Sequence, residues 1–134
     1  MNGPVNYSFA PQLYIKSGVT DIDFFSKAFG AIETRRWTNA DNTIHVAELS
    51  LNGMLFHLHE DNNKTGLFSP DKYKGTTVTI GLFVEDVDQV MQNAVASGAI
   101  EISPAKDYEY GLRQGEIQDP FGHRWLIEKT ILPG

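Results

Sequence analysis

One carboxylate and two imidazoles stand close together in this chain, at Glu48, His57 and His59. A carboxylate beside an imidazole holds it in one tautomer and raises its basicity, as a general base requires. The same pair also serves as a cross-strand polar contact that fixes register. His57 and His59, two residues apart, share one face of a strand. With Glu48 they form the two-histidine, one-carboxylate set that divalent metals accept. All three then come from one hairpin, with His59 near its open end. Arg113 offers a forked cation for an anionic ligand group, or a salt bridge to Glu48 or Glu116. His45 and His123 fall at helix-facing or turn positions and read as structural hydrogen-bonding groups. Trp37, Phe68, Tyr73, Tyr108 and Tyr110 read as pocket walls, or equally as core or dimer surface.

A hairpin must bring Glu48 and His57 together. Asn52-Gly53 is a strong two-residue reversal signal, because both positions tolerate positive φ. It pairs Leu51 with Met54, Leu49 with Phe56, Glu48 with His57 and Val46 with His59. Alternation then gives one face Ala47, Leu49, Leu51, Met54, Phe56 and Leu58, which belongs under a helix. The opposite face carries Ile44, Val46, Glu48, Ser50, Leu55, His57 and His59, an apolar lining with a few polar groups.

The element order occurs twice. Strands are expected near 9–16, 32–37, 44–51 and 54–60, with a helix over 21–29 that Thr20 caps and Gly30 ends. A second set follows: a strand over 78–84, a helix that Asp86 caps and Gly98 ends, and strands near 100–106, 113–118 and 124–130. Ala28-Phe29-Gly30-Ala31-Ile32 matches Ala96-Ser97-Gly98-Ala99-Ile100 at an offset of 68, and Gly53 matches Gly122 at 69. Self-similarity of this kind indicates a duplicated unit. One α+β domain over 1–134 follows: a βαβββ module over 8–60, a linker or flap over 61–76, and a second module over 77–130. The offset places Arg113, Gly115, Ile117, Arg124, Leu126 and Glu128 on the second module's equivalent of the mixed face.

Composition narrows the function. The chain has 134 residues, 41% apolar, with a net charge of -6. Scattered basic residues and an acidic balance argue against a nucleic-acid partner. No apolar run spans a membrane, and residues 1–10 lack the features of a signal peptide. The absence of cysteine excludes disulfides, thiolate zinc sites and thiol nucleophiles, and fits a reducing cytoplasm. No phosphate-binding glycine loop or serine-centred elbow is present.

Asp21-Ile22-Asp23-Phe24-Phe25-Ser26-Lys27-Ala28-Phe29-Gly30-Ala31, Val84-Glu85-Asp86-Val87-Asp88 and Asp119-Pro120-Phe121-Gly122-His123-Arg124-Trp125 resemble signature segments of the vicinal oxygen chelate superfamily. That superfamily includes glyoxalase I, extradiol dioxygenases and bleomycin- and fosfomycin-resistance proteins. With His45-Val46-Ala47-Glu48-Leu49, the chain is most similar to the branch named after a phosphonate-operon protein. The resemblance implies paired βαβββ modules forming cupped mixed sheets with helices on their outer faces, and a homodimer. The superfamily's four metal-ligand positions carry over to Pro11 or its neighbour, His57, about Thr79, and Leu126. Only His57 is a strong ligand, and a catalytic metal takes at least three from the protein. The resemblance therefore implies a protein that binds a small organic molecule between the sheets with no cofactor, contacting it through Arg113, His59, Leu55, Trp37 and Leu126. The alternative is a lyase, isomerase or dioxygenase, either with His57 as base oriented by Glu48, or with a divalent metal on His57, Glu48 and His59.

Overall fold

The computed structural model describes residues 6–132. The first five residues, part of the segment read as lacking a leader, and the last two lie outside them. The elements run β1 (Gln12–Ile15), α1 (Phe24–Phe29), β2 (Ile32–Thr38), β3 (Ile44–Leu51), β4 (Met54–Glu60), α2 (Pro70–Tyr73), β5 (Thr79–Phe83), α3 (Val87–Ala96), β6 (Ile100–Asp107), β7 (Leu112–Gln118) and β8 (Arg124–Thr130). They form two four-stranded mixed sheets of identical topology, ordered β1-β4-β3-β2 and β5-β8-β7-β6. The fold is α+β, with βαβββ repeated.

Local chemistry accounts for the boundaries. Asn52 and Gly53 both adopt positive φ, 51° and 87°, so the reversal is a two-residue turn. It sets the β3–β4 register with Glu48 opposite His57 and Leu49 opposite Phe56. Gly30, at φ 76°, ends α1: its N–H bonds the Ser26 carbonyl, and the Ala31 N–H bonds that of Phe25. Asp86 caps α3 by accepting from the Gln89 N–H at 3.0 Å. The expected Thr20–Asp23 box does not form. Asp21 instead accepts the Asp23 N–H at 2.9 Å, and the helix begins only at Phe24. This short side-chain bond competes with helical pairing.

The core is shared. Phe25 of α1 lies 5.4 Å from Phe56 of the first sheet and 6.1 Å from Trp125 of the second, measured between ring centres. Phe29 approaches Trp125 to 4.9 Å, and α1 packs against α3. Both sheets thus turn their helix-covered faces to one aromatic layer. The His123 ring bonds the Tyr14 carbonyl at 2.8 Å, tying β8's entry to β1. Residues 61–76 hold a single bridge, Asn62 to Leu67, and the short α2. Pro70 is buried against Gly122 of the β7–β8 turn, and Lys16 pairs with Asp71 at 3.4 Å. No described helix is long and apolar enough to cross a membrane.

Candidate functional site

β3 and β4 carry a connected polar row on the helix-free face of the first sheet. The Thr34 hydroxyl donates to one oxygen of Glu48 at 2.7 Å. The other Glu48 oxygen lies 3.1 Å from His57 Nε2. His57 Nδ1 lies 2.9 Å from the Gln12 amide nitrogen, which also donates to the Ala10 carbonyl at 2.9 Å. The Gln12 oxygen bonds His59 Nε2, whose ring stacks on Tyr14 at 5.0 Å. The hydroxyl of Thr34, the imidazole of His57 and the nearby Arg35 hold the Glu48 carboxyl below the usual carboxylate range. Burial, then the charges of His57 and His45, lower the His59 imidazole.

Gln12 completes this row because the parallel pairing of β1 with β4 sets it directly beside His57. Sequence pattern passed over it, since parallel partners distant along the chain leave no local signal. Arg35 was likewise missed. Its guanidinium sits 4.5 Å above the Trp37 ring, and Trp37 pairs with Val46 on the same ladder.

The second module corrects the sequence reading. Gln114, Glu116 and Gln118 pair with Glu128, Leu126 and Arg124, so these six share the helix-free face. Arg113 and Ile117 point the other way. Arg113 bonds Asp88 of α3 at 2.8 Å and Asp107 at 2.9 Å, so it presents no cation to the first module's polar row. A Cβ on Gly115 would meet Met91 of α3, and Ile117 is core. The cause is the turn. Two residues separate Leu51 from Met54, but three separate Asp119 from His123, which close the β7–β8 turn by a 2.8 Å backbone bond. The offset is therefore 68 for β7 and 69 for β8, and one offset applied to both puts β7 on the wrong face.

Asp119 anchors that turn. It is 2% exposed and accepts from the N–H groups of Phe121 and His123 and from the Trp125 indole at 2.9–3.0 Å. Burial raises its carboxyl above the ordinary value. His45 is exposed and bonds Glu60 at 2.8 Å rather than packing toward a helix. Ile44, placed by alternation on the mixed face, is fully buried at the strand's start, where its N–H bonds the Val19 carbonyl.

A cavity of about 630 Å³ opens where the two sheets meet. Phe9 and Pro11 form one wall, the end of the β3–β4 hairpin with Leu55 and Phe56 another, and β5 from Ile80 to Phe83 a third, with Trp125 behind. Its lining is almost wholly apolar. Of the expected contact residues, Leu55 lines it, while Arg113, His59, Trp37 and Leu126 do not. Phe68, Tyr73, Tyr108 and Tyr110 are also absent from its walls, as is the whole 61–76 segment. The polar row adjoins the cavity at two points. Leu55 and His57 are neighbours on one face of β4, and the Pro11 carbonyl accepts the His57 N–H at 2.8 Å.

Strand pairing shows what stands at and around the metal-ligand positions that the resemblance implies. Gln12 pairs with His57, and by the repeat Gly81 pairs with Leu126. Gly81, two residues beyond the expected Thr79, thus stands where Gln12 stands in the first sheet. The four positions supply one imidazole, one amide and two groups without donors, and both His57 nitrogens already have partners. Among the described residues, no three His, Asp or Glu side chains converge as a ligand set. The residues present do not fit a catalytic metal.

A family model described as "Glyoxalase/Bleomycin resistance protein/Dioxygenase superfamily" matches residues 18–127. An uncharacterized protein of Mycobacterium bovis is 34% identical over 132 residues, covering 95% of this chain and 86% of its own length. A gene product of Arabidopsis thaliana superposes with a TM-score of 0.72 at 28% identity, over 92% of this chain and 98% of that one. The genomically encoded fosfomycin resistance protein FosX of Listeria monocytogenes shares the fold with a TM-score of 0.70 at 16% identity, over 96% and 97%. The model match spans most of the chain and both modules, and the chain belongs to the glyoxalase, bleomycin resistance protein and dioxygenase superfamily.

Proposed function

We infer that this chain binds a small organic molecule in the cavity between its sheets, without a catalytic metal. The observation that carries this reading is the cavity itself. It is apolar, large enough for a drug-sized ligand, and bordered by an ordered polar row that can orient one end of a guest. Leu55 supplies the contact between the two. His57, Glu48 and Gln12 act as polar border groups. The reading includes a homodimer, supported by exposed apolar side chains on the edge strands β2 and β6, notably Ile32 and Ile100.

The Glu48–His57 contact at 3.1 Å favours a second reading, an enzyme in which His57 takes a proton from substrate. In the resting arrangement its Nδ1 is covered by Gln12, so substrate must first displace that amide.

Elemental analysis of purified protein, beside a Glu48→Ala/His57→Ala control, tests the metal clause. Substoichiometric metal in both supports the proposal. About one equivalent of metal that the double variant loses would refute it. A thermal-shift screen of small apolar compounds tests binding, because a ligand at 100 times its Kd raises stability by about 2.7 kcal/mol. Leu82→Trp, which fills the cavity, should abolish the shift.

A further inference from the structure

Glu128 is a buried carboxylate without a counter-charge. It is 6% exposed, yet no Lys, Arg or His of the described residues lies within salt-bridge reach of it. The nearest cation on the same face of β8, Arg124, is engaged by Glu116 and Gln118, and the adjacent Lys129 alternates to the opposite face with its ladder partner Arg113. One Glu128 oxygen accepts from the Gln114 amide at 2.6 Å, and the Gln114 oxygen accepts from the Tyr110 hydroxyl at 2.7 Å. This relay satisfies half of the carboxylate. The other oxygen, Oε2, has no hydrogen-bond partner among the described residues and is not sealed from solvent. It occupies the space beside Gly81, 2.6 Å from where a Cβ on that residue would stand. Gly81 is part of the cavity wall, and Glu128, which does not line the cavity, borders it through this glycine.

A buried anion needs a proton, a cation or several donors to offset its lost hydration. Here the protein supplies one donor and leaves one oxygen against a wall that lacks a side chain. We propose that Glu128 is the anionic end of the ligand site, and that the ligand is a protonated organic amine with an apolar body. The body fills the junction cavity and the ammonium reaches Oε2 over Gly81. Glycine at 81 is then a specificity determinant, since any side chain there would displace the carboxylate. This inference rests on the cavity being the ligand site.

The test uses three probes of similar shape: 2-phenylethylamine, 2-phenylethanol and phenylacetate, each titrated into the full chain by calorimetry and thermal shift. Hydroxyl and ammonium can both donate to Oε2, but only the ammonium adds an opposite charge, which should favour the amine over the alcohol by about tenfold or more, with the carboxylate weakest. Glu128→Gln should cost the amine far more than the alcohol and bring the two close together in affinity. Gly81→Ala, which disturbs Oε2 without removing it, should reduce the preference and serves if Glu128→Gln does not fold. Equal binding of amine and alcohol by the wild type, or a preference that survives in Glu128→Gln, overturns the assignment of Glu128 and leaves the cavity reading standing. Failure of all three probes to bind, with no change in Leu82→Trp, overturns both.

Discussion

The amide nitrogen of Gln12 lies 2.9 Å from a backbone carbonyl, and a carbonyl can only accept. The nitrogen end of the amide is thereby fixed toward Ala10, and its second proton goes to His57 Nδ1. His57 must then carry its proton on Nε2, where it donates to Glu48, and His59 must donate from Nε2 to the Gln12 oxygen. One carbonyl thus orders four side chains. Nitrogen-15 spectra of the histidine rings at neutral pH should show His57 as the Nε2–H tautomer with an accepting Nδ1, and Gln12→Ala should release that preference. His59 gives a second test. Its folded imidazole protonates less readily than the ordinary histidine value of about 6.5. The unfolded chain therefore binds more protons in that range, and stability falls as pH drops below about 6.5. His59→Gln should flatten this limb of a pH series of denaturation midpoints. Glu48, whose carboxyl is held low, adds a further loss only at more acidic pH, as it protonates in the folded state. Asp119 answers to burial instead. Asp119→Ala strands three donors in the core and should cost about 3 kcal/mol in urea unfolding.

Turn length decides what each strand presents. A Val at position 53 must take the left-handed conformation that Gly53 adopts at φ 87°, so Gly53→Val should cost roughly 1–2 kcal/mol by the same measurement. The first hairpin was legible because Asn-Gly is a local signal with one outcome, and Glu48, His57 and Leu55 stand where alternation puts them. Both helix exits and the strands β3, β4 and β8 were legible for similar local reasons. The second hairpin was not. Asp119 to His123 holds its shape through a buried carboxylate bonding an indole six residues away, and that contact exists only once the core has formed. Arg113 was misplaced with it. As a helix-side residue bridging Asp88 and Asp107, Arg113→Ala should leave ligand affinity unchanged, which titration of any bound probe would check. Gln12 and Gly81 were hidden for another reason. Each matters through a parallel neighbour more than forty residues away.

Duplication has given the whole molecule two sheets of one topology with unlike contents. Where the first has Glu48 opposite His57, the second has Glu116 opposite Leu126, and Glu116 turns to Arg124 instead. Where the first has Gln12 beside its histidine, the second has Gly81 and an uncovered carboxylate nearby. Light scattering should give twice the chain mass if two copies associate as proposed, and dilution should lower Tm if the pairing adds stability. The unequal halves also constrain any guest that reaches both. A molecule with matching ends would satisfy one sheet and waste the other, whereas a head-to-tail molecule has a single favourable heading. Reversing such a guest should cost affinity even though the scaffold around it repeats.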